Sequence, residues 1–229
     1  MKRIIAVGGG ELKSKTTLKI DEYIAALAKE RAGGRRAYGL FLGTASHDSL
    51  PYFNSFRKIY TSVFDIKADV ALSVYGEMDR AHIEEKFEKA DLIYVGGGDT
   101  LFMLKNWREK GLLPLILSAY ERGVILAGVS AGAICWFEDM YTDSDIMNGG
   151  AEYRFEKGLG LLGGLMTPHY NERMEEFDGR FSRSSFLNAY AVEDNAALLF
   201  EDGKPVKSLG TGGAYLLQKT AAGVEKVRL

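Results

Sequence analysis

Short apolar runs recur along much of the chain, and each of them ends at glycine or at a small polar residue. They occupy residues 4–7, 37–42, 91–95 and 124–127. Uninterrupted apolar runs of this length are typical of strands that are buried on both faces, as in a parallel sheet. Ligands of such sheets bind beyond the carboxyl ends of the strands, so the glycine-rich ends of these runs mark the expected site.

The stretches between these runs have apolar residues three and four positions apart. Residues 18–31 place Ile20 and Ile24 on one stripe and charged residues on the opposite side, which predicts an amphipathic helix. The same spacing recurs in residues 53–63, 83–90 and 101–107. Strands that alternate with helices predict an α/β fold, a doubly wound, mostly parallel sheet with helices on both faces.

The C-terminal part of the chain has a different pattern. Short β-like runs, separated by turn signals such as Glu201-Asp202-Gly203-Lys204, lie between residues 189 and 218. They predict antiparallel strands that extend the main sheet. Residues 137–157 are polar and punctuated by glycine, and we expect them to form a mobile cover. With no linker or repeat in the sequence, we expect residues 1–229 to form a single α/β domain.

Composition narrows the classes of function. Lys and Arg total 29 and Asp and Glu total 31, which gives a formal net charge of −2. Proteins that bind nucleic acid normally carry a basic excess, so we expect no nucleic-acid partner. One cysteine cannot form an internal disulfide, and the first apolar run is too short for a signal peptide or a membrane span. We therefore expect a cytoplasmic protein with no membrane partner.

The sequence Gly128-Val129-Ser130-Ala131-Gly132 fits the G-x-S-x-G pattern of a nucleophile elbow, between a predicted buried strand and a helix-compatible run. A sharp turn of this kind lifts the serine hydroxyl out of the sheet, and its crowding demands small neighbours. The backbone N–H after the serine can then hold a developing oxyanion. The alternative is a tight turn with an inert serine.

A serine nucleophile needs a base, and the chain has three histidines. His82 lies in a charged stretch that predicts an exposed helix start. His47 follows the second predicted strand, so it could reach the site. His169 ends an apolar run and follows a proline, which places an imidazole at the rim of the core. We prefer His169 and keep His47 as its rival.

Two further signals complete a candidate hydrolytic site. Gly96-Gly97-Gly98 follows the third predicted strand, where glycines let the backbone approach a ligand and expose N–H groups to an anion. The Gly98 N–H would complement that of Ala131 as an oxyanion donor. A carboxylate must also orient the imidazole. Glu193, at a predicted strand end, and Asp145, in a polar loop, are the two candidates.

Three of these motifs follow one another in a fixed order along the chain. They are Gly96-Gly97-Gly98-Asp99-Thr100, Gly128-Val129-Ser130-Ala131-Gly132-Ala133 and Thr167-Pro168-His169-Tyr170. Together they resemble the aspartyl dipeptidase (peptidase E) family of serine peptidases, whose fold is related to class I glutamine amidotransferases. The resemblance implies Ser130 as nucleophile, His169 as base, and oxyanion donors Gly98 and Ala131. It implies Glu193 as the acid, with Asp145 as the alternative, and we prefer Glu193 because a strand end is the more rigid platform.

The resemblance also implies dipeptide substrates with an acidic first residue. An acidic side chain needs a cation, preferably a planar guanidinium. Arg173, Arg180 and Arg183 follow the histidine and are the candidates. Asp99 stands where strict Asp-X dipeptidases of the family have asparagine. Its carboxylate could pair with the α-ammonium group of a substrate, or it could reject an acidic side chain.

Other functions stay open on the sequence alone. The same triad could hydrolyse esters, or act on a branched aspartate-arginine polymer as the related cyanophycinases do. The fold could also serve as a non-catalytic binding module. No spacing of His, Cys, Asp and Glu indicates a metal site, and triad hydrolysis needs no cofactor. As partner we expect a short peptide substrate, and we leave a homodimer open beside a monomer.

Overall fold

The computed structural model describes residues 1–75 and 79–229, in which no helix combines the length and the apolar composition that a membrane span requires. The strands are β1 (Arg3–Val7), β2 (Tyr38–Leu42), β3 (Lys67–Val70), β4 (Leu92–Val95), β5 (Ile125–Val129), β6 (Phe137–Thr142), β7 (Arg154–Lys157), β8 (Leu162–Thr167), β9 (Asn188–Val192), β10 (Ala196–Glu201), β11 (Lys204–Gly210), β12 (Ala214–Thr220) and β13 (Gly223–Arg228). The helices are α1 (Leu18–Ala32), α2 (Leu50–Ser62), α3 (Arg80–Lys89), α4 (Thr100–Glu109), α5 (Leu113–Glu121), α6 (Ala131–Ile134), α7 (Ser144–Met147) and α8 (Tyr170–Arg183).

The four predicted apolar runs lie in one seven-stranded sheet with the order β11-β10-β1-β5-β4-β2-β3. β1, β5, β4, β2 and β3 pair in parallel, whereas β10 is antiparallel to β1. Two separate buried clusters cover the sheet. One includes Ile24 of α1 and Phe56 of α2, and the other includes Ile83 of α3 and Trp107 of α4. The predicted α/β fold with helices on both faces is confirmed.

A second sheet contains six strands in the order β13-β12-β9-β8-β6-β7. The predicted antiparallel extension of the main sheet is present as β10 and β11, but β9, β12 and β13 join this second sheet instead. Residues 137–157, expected to form a mobile cover, contain β6, α7 and β7. Phe137 and Tyr141 of β6 are fully buried, so their side chains fix β6 in the sheet.

The two sheets meet beyond the carboxyl ends of the parallel strands. Gly8 follows β1, Gly96 follows β4, and Ser130 follows β5, so these three residues lie along one edge of the main sheet. β8 of the second sheet ends just before His169, whose N–H donates to the carbonyl oxygen of Gly8 at 3.1 Å. This hydrogen bond joins the ends of β8 and β1 at the predicted site.

Candidate functional site

Ser130 lies at the turn between β5 and α6 in a strained backbone conformation. Its φ of 53° and ψ of −113° belong to a region that residues with side chains rarely adopt. A Cβ atom at Gly128 would lie 2.1 Å from the carbonyl oxygen of Gly132, and one at Gly132 would lie 2.2 Å from that of Val95. The turn therefore requires the small residues of the G-x-S-x-G pattern.

His169 is the histidine that contacts Ser130. Its Nε2 atom lies 2.9 Å from the Oγ atom of Ser130. The backbone of His169 is left-handed, with a φ of 49°, and its side chain is 23% exposed, so the ring borders solvent. The rival His47 instead stacks on the ring of Phe102, with ring centroids 4.1 Å apart.

The carboxylate that contacts His169 is Asp194, which was not among the predicted residues. Its Oδ1 atom lies 2.7 Å from Nδ1 of His169, so each ring nitrogen has a partner. Asn171 donates to the second oxygen of Asp194 at 3.1 Å and accepts from its backbone N–H at 2.8 Å. A Cβ atom at Gly9 would lie 1.7 Å from Asp194 Oδ1, so glycine leaves the space for this pair. A carboxylate on Nδ1 favours the tautomer whose Nε2 accepts the serine proton.

Neither predicted acid contacts the imidazole, which corrects the assignment of Glu193 and of its alternative, Asp145. Glu193 accepts the backbone N–H of Gly213 at 2.6 Å and the hydroxyl of Tyr215 at 3.3 Å. Asp145 pairs with Arg154 at 2.9 Å. The physical reason is the path of the chain after β9. The backbone of Glu193 still pairs with Gly213 in the second sheet, whereas Asp194, one residue later, forms a bridge with Gly9 at the main sheet.

The two predicted oxyanion donors lie on the loops that follow β4 and β5. Gly98 has a φ of 135°, and a Cβ atom there would lie 2.2 Å from the carbonyl oxygen of Ala45, so only glycine fits. Within residues 1–75 and 79–229, the N–H groups of Gly98 and Ala131 donate to no protein acceptor. Because α6 has only four residues, individual N–H groups rather than a helix dipole would act on an anion.

Asp99 is the N-cap residue of α4. Its Oδ1 atom accepts the backbone N–H groups of Leu101 at 3.0 Å and Phe102 at 3.1 Å. Its Oδ2 atom accepts the side-chain N–H of Asn148 at 2.6 Å. Burial by itself would raise the pKa of Asp99, but these hydrogen bonds outweigh burial and the pKa is lowered. Both oxygens of Asp99 already accept hydrogen bonds within the protein, which favours a structural role over the expected pairing with a substrate ammonium group.

Arg173 differs from the other two predicted arginines because its unpaired donors are buried. The residue is 6% exposed, and its guanidinium lies over the ring of Tyr153 at 4.7 Å and 3.4 Å from Asp143. Its Nε and Nη1 atoms are buried and have no partner within the described residues. Arg180, in contrast, binds the carbonyl oxygen of Tyr153 at 2.8 Å. Arg183 ends α8, roughly 15 Å further along the helix than Arg173.

Residues around His169 could also supply metal ligands. In the described part of the chain, donor atoms of His169, Glu172 and Asp194 lie within 4.8 Å of one another. Both ring nitrogens of His169 have partners, so the imidazole could bind a metal only by releasing Ser130 or Asp194. Cys135 is fully buried, and burial raises the pKa of its thiol well above the usual range, as expected for a structural side chain.

Comparison with known proteins shows which proteins are similar in sequence to this chain. The sequence model of peptidase family S51 matches residues 4–207. The chain is 35% identical over 204 residues to the uncharacterized peptidase YgaJ of Bacillus subtilis (strain 168), a match that covers 87% of this chain and 84% of YgaJ. It is 32% identical over 111 residues to peptidase E of Citrobacter koseri, a match that covers 48% of each chain.

Two solved structures share the fold at low sequence identity. A peptidase from an acI-B1 Actinobacterium aligns with a TM-score of 0.74 and 16% identity, over 99% of this chain and 94% of that one. A putative peptidase E protein from Listeria monocytogenes EGD-e aligns with a TM-score of 0.65 and 19% identity, over 92% of this chain and 99% of that one.

The fold and the sequence relatives together define this protein as a peptidase with an α/β architecture. More closely, the chain belongs to peptidase family S51. The predicted resemblance to the peptidase E family is thereby confirmed.

Proposed function

We propose that this peptidase is a serine exopeptidase that cleaves dipeptides with an acidic first residue, using Ser130, His169 and Asp194. The supporting observation is the pair of contacts at His169, 2.9 Å from Nε2 to Ser130 Oγ and 2.7 Å from Nδ1 to Asp194 Oδ1. A nucleophile, a base and an orienting acid within hydrogen-bond reach form the arrangement that activates a serine hydroxyl.

In the proposed reaction, Ser130 Oγ attacks the scissile carbonyl carbon while His169 Nε2 takes the hydroxyl proton. The C–N bond then breaks, and His169 gives that proton to the leaving amine. A water molecule attacks the resulting acyl-enzyme with His169 again as base, and the proton returns to Ser130 as the acid product leaves. Asp194 stays ionised and stabilises the imidazolium in both halves of the reaction. The chemistry needs no cofactor.

The N–H groups of Gly98 and Ala131 are the proposed donors to the tetrahedral oxyanion. Their support is positional, because both follow strands that end at the site and both lack a protein acceptor within the described residues. Fixed N–H dipoles that face a developing negative charge need no reorganisation during the reaction, and one such donor is typically worth about 10²–10³ in kcat.

We assign the preference for an acidic first residue to Arg173. A substrate carboxylate could accept from its two unpaired, buried nitrogens in charge-assisted hydrogen bonds. The ring of Tyr153 lies against the guanidinium plane and restricts its rotation. Because α8 begins directly after His169, Arg173 follows the base by about one helical turn.

A panel of dipeptides tests the proposed function. The panel holds the second residue constant and varies the first among Asp, Glu and Ala, with an N-acetylated Asp member. We expect kcat/KM to be at least roughly tenfold higher for Asp than for Ala, as one charge-assisted contact supplies. The N-acetylated member should not be cleaved, whereas an esterase or a general acyl hydrolase would tolerate it.

Two variants make this test specific to the proposed nucleophile. Ser130→Ala should lose at least about 10³ in kcat and should not react with an organophosphorus serine reagent. Ser118→Ala, which changes an exposed serine of α5, should behave as the unmodified protein in both assays. Hydrolysis by pure Ser130→Ala at a substantial rate would overturn the proposal.

We also propose that the enzyme works in the cytoplasm. The support comes from composition, because a single cysteine cannot form an internal disulfide. Fractionation of the source cells with an antibody against the protein checks this assignment.

A further inference from the structure

Tyr52, in the first turn of α2, contacts the triple-glycine loop beside the proposed nucleophile. Its hydroxyl oxygen accepts a hydrogen bond from the backbone N–H of Gly97 at 3.2 Å. Burial raises the pKa of Tyr52 to about 12, so the hydroxyl stays neutral at ordinary pH. The contact is therefore a constant hydrogen bond across the pH range in which a histidine base works.

The ring of Tyr52 is held in place from two sides. It packs edge-on against Phe41, with ring centroids 5.2 Å apart and planes at 63°. A Cβ atom at Gly96 would lie 2.9 Å from the ring, so the ring fills the space that this glycine leaves. A fixed ring directs its hydroxyl to one point of the loop, the N–H of Gly97.

Gly97 lies between the proposed nucleophile, Ser130, and the proposed oxyanion donor, Gly98. A Cβ atom there would lie 3.4 Å from the Cβ atom of Ser130, so the loop passes directly beside the nucleophile. The N–H of Gly98, a proposed oxyanion donor, belongs to the peptide unit between Gly97 and Gly98. The unit before it is held by Tyr52, and the unit after it is held by the N–H of Asp99, which donates to Ala45 at 2.8 Å.

Consecutive glycines give the backbone its greatest conformational freedom, so without anchors this loop would sample many orientations of the Gly98 N–H. Only one of these orientations can serve an oxyanion, and stabilisation by fixed dipoles depends on the donor being aligned beforehand. Anchors on both flanking peptide units meet that requirement. One anchor is the side chain of Tyr52, and the other is the backbone of Ala45.

We propose that Tyr52 is a positioning residue of the oxyanion hole, which acts on the reaction through Gly97 and Gly98. The proposal rests on the proposed serine peptidase function and names the side chain that aligns its backbone donor. Loss of the hydroxyl should raise the energy of the transition state and leave the binding of intact substrate unchanged, because substrate binding places no negative charge at Gly98.

Tyr52→Phe tests the proposal, since it removes the hydroxyl and keeps the ring that packs on Phe41. We expect kcat on the preferred dipeptide to fall about tenfold, a fraction of the loss for a deleted donor, with KM within about twofold. A dipeptide aldehyde, which forms a tetrahedral adduct on a serine, should bind about tenfold more weakly for the same reason. A reduced-amide analogue, which carries no oxyanion, should bind as before.

Tyr60→Phe is the matched control. Tyr60 lies in the same helix, but its hydroxyl donates to Asp21 at 3.0 Å and not to the glycine loop. Both variants should be compared by thermal unfolding and by amide hydrogen exchange of Gly97 and Asp99, whose N–H groups make the two anchoring hydrogen bonds. Faster exchange at these two amides in Tyr52→Phe alone supports the proposal, and it can be measured even where activity is lost.

The outcomes separate this proposal from the proposed function. If Ser130→Ala is inactive and Tyr52→Phe has the kcat, adduct affinity and exchange rates of the unmodified protein, the role of Tyr52 is wrong and the triad stands. If Tyr52→Phe weakens the aldehyde and the reduced-amide analogue equally, Tyr52 binds substrate and does not position the donor. If Ser130→Ala remains active, the serine mechanism itself fails.

Discussion

Glu193 and Asp194 are neighbours in the chain, but their carboxylates bind different parts of the molecule. Asp194 pairs with the imidazole of His169 at 2.7 Å, whereas Glu193 accepts from the N–H of Gly213 at 2.6 Å. The chain passes from the second sheet to the main sheet between these residues, since Asp194 forms an isolated bridge with Gly9 after β1. A carboxylate at position 194, where the chain passes between the sheets, therefore reaches His169, whereas one at position 193, next to the end of β9, does not.

The first prediction follows from this difference. Asp194→Asn should lower kcat by about 10²–10⁴, because an amide on Nδ1 no longer favours the tautomer that accepts the serine proton. Glu193→Gln keeps an oxygen for the N–H of Gly213 and should stay within about twofold of the unmodified kcat. Steady-state hydrolysis of an Asp dipeptide measures both. The reverse result, a large loss for Glu193→Gln alone, would identify Glu193 as the acid.

A second prediction concerns the space beside the acid. A methyl group at Gly9 would lie 1.7 Å from Oδ1 of Asp194 and 2.5 Å from Nδ1 of His169. Gly9→Ala should therefore displace Asp194 and lower kcat by about 10²-fold, close to the range for loss of the acid. Gly163→Ala is the control, since a Cβ atom there meets nothing within 4 Å. Equal activity of the two variants would show that the pair tolerates displacement.

The sequence predicted the proposed nucleophile and the proposed base, whose side chains are in contact, because each has a strong local signal. The turn at Ser130 requires glycine at positions 128 and 132, because Cβ atoms there would clash with the carbonyl oxygens of Gly132 and Val95. The G-x-S-x-G pattern shows this requirement in the sequence. His169 follows an apolar strand whose end reaches the edge of the main sheet. Both signals come from residues close in sequence to Ser130 or to His169.

The proposed acid, Asp194, and the second sheet had no such local signal. Asp194 reaches His169 because β9 pairs with β8 and because Gly9 leaves room, and both conditions involve residues far away in the chain. Alternating apolar residues in β9 and β12 predict strands, but they do not say which sheet the strands join. The pairing of β9 with β8 depends on the tertiary packing of Tyr141, Leu165 and Phe177, which no short window reveals.

A third prediction concerns the choice of the first residue. Arg173→Gln removes the guanidinium with unpaired donors, so kcat/KM for Asp dipeptides should fall about 10–100-fold. Activity on Ala dipeptides should change less than about threefold, because their first side chain makes no ionic contact. Arg183→Gln, at the far end of α8, should leave the ratio of Asp to Ala substrates unchanged. A ratio that Arg173→Gln leaves unaltered would contradict the assignment.

A fourth prediction separates stability from specificity at Asp99. Asp99→Ala removes the cap of α4 and the partner of Asn148, so the free energy of unfolding should fall by about 1–3 kcal/mol. KM for dipeptides should stay within about twofold, because both carboxylate oxygens of Asp99 already accept hydrogen bonds within the protein. Urea unfolding and steady-state kinetics on the same preparation check both parts. A large rise in KM without loss of stability would restore Asp99 as a binding residue.

A last prediction concerns pH and the buried Asp21 of α1. Asp21 is 1% exposed and accepts hydrogen bonds from the hydroxyls of Thr17 at 2.7 Å and Tyr60 at 3.0 Å. Burial raises its pKa from 3.8 to about 6, although these hydrogen bonds act in the opposite direction. The folded protein therefore holds this proton more tightly than the unfolded chain does. Between about pH 4 and pH 6 the carboxyl loses its proton first in the unfolded state, so the free energy of unfolding falls as the pH rises.

Asp21→Asn removes this titration, so a comparison with the unmodified protein gives its contribution to the free energy of unfolding. A shift of about two pH units corresponds to roughly 3 kcal/mol, so the stability of the variant relative to the unmodified protein should rise by that order between pH 4 and pH 7. Urea unfolding at pH 4, 5, 6 and 7 gives the difference, in which all other titrating groups cancel. Ser118→Ala, at an exposed residue that does not titrate, should give a nearly constant difference. A flat difference for Asp21→Asn as well would mean that the buried carboxyl is ionised at pH 4 in the folded protein, against the direction that its burial requires.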